Sequence, residues 1–251
     1  MSGASTGDHS ASGEAAEPTP AADRAFDAVI FDMDGVLVDT EPIWEHVRAA
    51  FARRHSRHWG PEDHPYVAGR SSREWAAAMR ERLGIAAGED EIERAIVVDV
   101  VEVLRRDGAP PIAGAADAVR RIAGQTRTAL ASSAHREIIA ATLAAVGLDG
   151  TFDAVVSSDD VARGKPNPDV FLEAARRVGV PPRGCLVVED SLNGVLAGRA
   201  AGMTVLLVPI ESFPAPPRAV EAADWVLDRL ERFDPPTPAC LAEVARPGGG
   251  R

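Results

Sequence analysis

Two aspartates spaced two residues apart, Asp32 and Asp34, follow directly on an apolar, β-preferring run, Ala28–Phe31, and precede a glycine, Gly35. A buried strand that ends abruptly in charge has a use in an open parallel sheet. Ligands there bind outside the carboxyl ends of the strands, so both carboxylates would stand at the mouth of a site. Gly35 lets the chain turn away and keeps bulk off whatever sits above them. Other polar groups fall at comparable points. Ser132 and Ser133 follow an apolar run at residues 128–131, Lys165 lies in Gly164-Lys165-Pro166-Asn167-Pro168 ahead of a helical stretch, and Val187-Val188 runs into Glu189 and Asp190. Singly, each reads as a turn, a cap or a charge favoured by a helix dipole. Together, four carboxylates, a lysine and a hydroxyl at one sheet edge would repel unless a divalent cation sat among them, and hard oxygen ligands select Mg²⁺.

The elements that must position these groups alternate. From Gly108 onward, strand-like runs at 128–131, 154–156, 186–188 and 204–208, with a weaker one at 225–227, are separated by helical periodicity at 114–123, 135–146, 168–178 and 191–201. Gly147 closes one helix, and Asn167 before Pro168 reads as the cap of another. Such alternation implies βαβ units and a parallel sheet with helices on both faces. Ahead of it, Thr40 with Asp39 can cap a helix whose face carries Ile43, Val47, Ala50 and Phe51. A second helix runs from Ser71 or Ser72 to Leu83, stopped by Gly84, and a third from about Asp90 to Arg105. Roughly seventy residues are helical before the next strand, too many for one crossover, so they read as an insertion.

Composition narrows the partners. With 251 residues, 45% of them hydrophobic, the chain can bury a large core as one domain, or one plus an insertion. A net charge of -11 argues against nucleic acid or an anionic membrane, and an anionic substrate would need local cations or a metal. Cys185 and Cys240 form no CxxC pair and no disulfide framework, which fits inert thiols in a reducing compartment. No run approaches the ~18 apolar residues of a membrane span and the start lacks a signal pattern, so the expected location is cytoplasmic.

Asp32-Met33-Asp34-Gly35-Val36-Leu37-Val38-Asp39, then Ser132, then Lys165-Pro166, then Glu189-Asp190-Ser191 with Gly194, Gly198 and Gly202 resembles, in order, the four motifs of the haloacid-dehalogenase-like hydrolase superfamily. More narrowly it is similar to the branch that holds phosphoglycolate phosphatase, sugar phosphatases and β-phosphoglucomutase. The resemblance covers about Phe26 to Leu230. It implies an α/β fold in which a Rossmann-like parallel sheet core, residues 26–42 and 109–233, carries an inserted helical cap domain, residues 43–108. Residues 1–25, rich in Ser, Gly, Ala, Pro and Thr without apolar periodicity, are expected to be a disordered tail, and the Pro/Gly-rich 234–251 a flexible one.

Residue chemistry and resemblance then give one mechanism, an in-line displacement at phosphorus dominated by positioning and charge neutralisation. Asp32 is the expected nucleophile, screened by Mg²⁺ and the Lys165 ammonium, and Asp34 the acid for the leaving oxygen and then the base for water. By resemblance, Asp32, Asp34 (through its backbone carbonyl), Glu189 and Asp190 hold the metal, Ser132 binds phosphoryl oxygens, and Ser133 and Arg136 assist. The implied substrate is a small phosphate ester, taken by a monomer or homodimer. A phosphomutase using the same aspartyl-phosphate is the alternative, and a non-catalytic scaffold a remote one; the set Asp32, Asp34, Lys165 and Asp190 counts against the scaffold, and Asp34 against a dehalogenase. In the insertion, Trp44, Trp59, Trp75 and Tyr66 are expected to serve its own core. Gly69-Arg70-Ser71-Ser72-Arg73 resembles a substrate-reading loop. His55, His58 and His64 lack a convergent third ligand for zinc.

Overall fold

A computed structural model describes residues 26–67, 72–210 and 214–233, without the side chains of Ser72, Arg73 and Arg232. The expectations for both tails, for Cys240 and for Gly69, Arg70 and Ser71 lie outside the described residues. Six parallel strands run in the order β3 (Ala154–Val156), β2 (Arg127–Ala131), β1 (Ala28–Phe31), β4 (Cys185–Glu189), β5 (Thr204–Leu207) and β6 (Trp225–Val226). β1 is central, and all four of its residues are buried. The period-two alternation sorts them: Val29 and Phe31 join Leu130, Leu186 and Val188 in the core on one face, while Ala28 and Ile30 join Ala129, Val187 and Val205 on the other. Both faces are covered by helices, which is why these strands read as continuous apolar runs.

Register brings the polar strand ends together. Phe31 is paired with Leu130 and with Val188, so the residues that follow, Asp32, Ala131-Ser132 and Glu189, emerge at one level. Helix α1 (Glu41–Arg54), a 3₁₀ turn (Pro61–Tyr66), α2 (Ser72–Leu83) and α3 (Glu89–Asp107) lie between β1 and β2, followed by α4 (Ala115–Ala123). Ile92, Ile96, Val100 and Leu104 recur every four residues along α3 and are at most 1% exposed. Each such side chain contributes about 1.5–3 kcal/mol by burial. They pack with Val47 and Phe51 of α1 and Trp75 and Met79 of α2, in a core continuous with one sheet face. Trp59 and Trp75 are buried as expected, whereas Tyr66 is exposed and Ala50 only half-buried. The strands on either side of this segment are clasped where the chain leaves and returns: Asp39 N–H donates to Pro110 O and Ile112 N–H to Leu37 O, both at 2.9 Å.

Downstream come α5 (Arg136–Ala145), α6 (Asp169–Val178) and α7 (Leu192–Ala200), each returning the chain to a parallel strand, then α8 (Pro217–Ala222). Two expected caps are corrected. Thr40 stands before α1 but its side chain makes no cap bond, because its hydroxyl is turned to Asp34. Pro168, not Asn167, precedes α6, and the Asn167 amide donates back to Gly164 O at 3.0 Å, closing the lysine loop instead. Helix α8 has no counterpart in the sequence reading; it is short and buries only Ala219. Among the described residues, no helix is long and apolar enough to cross a membrane.

Candidate active site

Asp32 leaves β1 with its N–H bonded to Val188 O at 2.9 Å, so the sheet itself sets its place. It is 6% exposed, and Oδ1 accepts from Lys165 Nζ at 2.7 Å. Burial pushes its carboxyl up to about 7, against the pull of the Lys165 ammonium and with the help of Glu189 and Asp34. Lys165 is the chain's single lysine. Its ammonium also donates to Glu189 Oε1 at 2.7 Å and Ala131 O at 3.1 Å, which uses all three of its protons. Burial alone would lower its pKa, but the charges of Asp32 and Glu189 outweigh that and hold it above the ordinary value.

Glu189 ends β4 fully buried and fully engaged. Beyond Lys165 on Oε1, its Oε2 accepts from Asp190 N–H and Ser191 N–H, each at 2.9 Å, and from the Ser191 hydroxyl at 3.0 Å. Ser191 in turn caps α7, accepting from Gly194 N–H at 3.1 Å. Gly194 is required by contact: a Cβ there would sit 1.6 Å from Glu189 Oε1. Gly35 is required twice over, with φ +77° and a Cβ position 2.0 Å from Asp190 Oδ2. Asp190 is half-buried, and its carboxyl is held well above the ordinary range by burial first and then by Glu189 and Asp32.

Asp34 sits in the turn that follows, where Gly35 N–H donates to Val38 O at 2.7 Å. Its Oδ1 accepts from the Thr40 hydroxyl in a short hydrogen bond. Burial pushes this carboxyl up to about 6, opposed by the Thr40 bond and Lys165 and aided by the charges of Glu41 and Asp39. Ser132 is buried at the end of β2; its backbone N–H donates to Val156 O, and its Oγ accepts from Ala134 N–H at 3.0 Å, which leaves its own O–H without an acceptor among the described residues.

The structure therefore brings Asp32, Asp34, Ser132, Lys165, Glu189 and Asp190 to one sheet edge. It takes Arg136 elsewhere: the guanidinium is 60% exposed and bonds Asp160 Oδ1 at 2.5 Å, while the backbone N–H serves Asp159. Ser133 is exposed on the same loop. Sequence reasoning missed Thr40 as the partner of Asp34, and His135. The latter's Nδ1 lies 2.8 Å from Asp159 Oδ1 and its Nε2 2.8 Å from Glu93 Oε1, the second without hydrogen-bond alignment, which brings α3 against the loop after β2.

Asp32, Glu189 and Asp190 each present a carboxylate oxygen, and these lie within 4.8 Å of one another. The donor set is all hard oxygen, and two of its members are raised in pKa by burial first and then by the neighbouring carboxylates, a penalty on the charged forms that a small divalent cation relieves. The residues fit Mg²⁺.

Residues 26–202 match the family model of haloacid dehalogenase-like hydrolases. The chain is 31% identical over 214 residues to a bifunctional riboflavin kinase/FMN phosphatase of Arabidopsis thaliana, covering 80% of this chain and 53% of that protein, so it spans about half the length of that relative. It is 33% identical over 191 residues to the fructose-1-phosphate phosphatase YqaB of Escherichia coli K12, covering 71% of this chain and 94% of that one. Among solved structures, CbbY from Rhodobacter sphaeroides in complex with phosphate superposes with a TM-score of 0.77 at 25% identity, covering 86% of this chain and 99% of that one.

Proposed function

The chain belongs to the haloacid dehalogenase-like hydrolase family, and from that premise we propose that it is a Mg²⁺-dependent phosphatase acting on a small phosphorylated metabolite, of the sugar phosphate or phosphoglycolate type, through an aspartyl-phosphate. The observation that carries the reading is Asp32 paired to Lys165 inside the carboxylate cluster, with Asp34 two residues on and held by Thr40. Residues 43–108 are the cap in this reading, and 26–42 with 109–233 the core.

Asp32 attacks phosphorus as the bond to the ester oxygen breaks, and Lys165 keeps the attacking carboxylate ionised and aligned. Thr40 occupies one oxygen of Asp34 and leaves the other to carry the proton. With a pKa near 6, Asp34 reaches both forms around neutrality: protonated, it gives its proton to the leaving oxygen; ionised, it takes one from the water that hydrolyses the phosphoenzyme. The Ser132 O–H donates to a phosphoryl oxygen. Asp32, Asp190 and the backbone carbonyl of Asp34 would hold Mg²⁺, with Glu189, already bonded on both oxygens, acting through water. When bound, the ion supplies charge screening between nucleophile and phosphoryl group.

A phosphate-release screen over sugar phosphates and phosphoglycolate with Mg²⁺ tests the reading. Release by the natural chain that falls to background in Asp32→Asn is expected. Release that persists in Asp32→Asn would overturn it.

A further inference from the structure

The first turn of α1 carries polar machinery that the chemistry above does not use. Thr40, whose hydroxyl holds Asp34, is followed at once by Glu41, near enough that its charge is felt at Asp34. Glu41 is fixed from two sides: Oε1 accepts from Arg48 Nη1 at 3.2 Å and lies 2.9 Å from His64 Nδ1. His64 thus meets Glu41 and Glu45, 23 and 19 positions away, rather than His55 or His58. Arg48 is only 7% exposed, its guanidinium lies 5.1 Å over the Trp44 ring, and its Nε has no acceptor among the described residues. The buried guanidinium thus grips a carboxylate that itself stays partly exposed. A metal ion is a poor candidate, because the arginine already occupies the Glu41 oxygen.

We infer that Glu41 is the specificity-determining residue of the site: gripped by Arg48 and His64 beside Trp44, it accepts hydrogen bonds from the hydroxyls of a neutral sugar or polyol leaving group and repels a leaving group that bears its own anion. This rests on the phosphatase reading and narrows it. An oriented carboxylate suits paired hydroxyls, and the half-buried Trp44 offers an apolar face to the C–H side of a sugar. Charge settles the rest. Arg48 is engaged by Glu41, and among the described residues the carboxylates of Glu45 and Asp39 add negative charge near it that opposes the carboxylate of a glycolate or a second phosphate.

The test measures kcat/KM with Mg²⁺ for a hexitol phosphate, a hexose 6-phosphate, phosphoglycolate and a hexose bisphosphate, on the natural chain and on Glu41→Gln. The natural chain is expected to favour the two neutral-leaving-group esters over the two anionic ones by about tenfold or more. Glu41→Gln is expected to shrink that ratio by about tenfold, mostly through KM on the neutral esters. The ranking in the natural chain decides the point even if the variant does not fold. Phosphate release with phosphoglycolate or the bisphosphate preferred, or with a ratio untouched in folded Glu41→Gln, would overturn the inference and leave the phosphatase reading standing. No release from any ester would sink both.

Discussion

Replacing Lys165 with methionine, of similar length and no charge, isolates what the ammonium does. Its three protons go to Asp32, Glu189 and Ala131 O, and its side chain is 6% exposed. The variant leaves two buried carboxylates facing each other without a cation, and breaking a buried pair in this way costs about 3–5 kcal/mol. The cost depends on pH. Burial already holds Asp32 near 7 in the folded chain, far above its unfolded value, so the folded state binds more protons than the unfolded one across the interval between, and stability falls as pH rises through it. Removing Lys165 deletes the one large influence lowering that value and pushes it higher still. At pH 5 Asp32 is protonated with or without the lysine; at pH 8 only the variant is penalised further. Each pKa unit gained is worth about 1.4 kcal/mol, so the variant's deficit should be at least about 1 kcal/mol smaller at pH 5 than at pH 8. Urea unfolding in chelator at both pH values measures it. A deficit below 1 kcal/mol at pH 8, or one equal at both, would refute the electrostatic reasoning.

Gly194→Ala drives a methyl into the Glu189 carboxylate, which Lys165 and Ser191 prevent from yielding; unfolding should show a loss of about 1–3 kcal/mol, and phosphate release a fall of about 100-fold from the displaced cluster. Chelator should stop turnover and Mg²⁺ restore it, while Ca²⁺, with longer bonds and looser geometry, inhibits; full activity in chelator would mean that the cluster holds no metal. With β-glucose 1-phosphate, Mg²⁺ and a bisphosphate primer, free phosphate should outpace glucose 6-phosphate, since a mutase must keep its phosphoenzyme from water; the reverse order would make the chain a phosphomutase.

What was legible in the sequence follows from how local each interaction is. An apolar run broken by charge is visible within a few residues, and it located Asp32, Ser132 and Glu189 at strand ends; the structure puts Glu189 inside β4 itself. Lys165 was legible from the loop that opens α6. The strand order β3-β2-β1-β4-β5-β6 was not, because alternation implies parallel strands but says nothing of which are neighbours. Thr40 reads as a cap in any sequence, since its alternative partner Asp34 competes for the same hydroxyl only once the Gly35 turn folds back. The meeting of His64 with Glu41 and Glu45 depends on how a 3₁₀ turn packs on α1, which no spacing rule reports. Arg136, a polar group on the right loop, was drawn off by Asp160, a partner 24 residues away.

The central claim is that Asp32 carries the phosphoryl group. Rapid acid quench of the natural chain turning over a ³²P-labelled sugar phosphate with Mg²⁺, followed by peptide mapping, addresses it directly. The label should appear on the peptide holding Asp32 and be absent from Asp32→Asn. Label retained in Asp32→Asn, or mapped to another residue in the natural chain, would contradict the account.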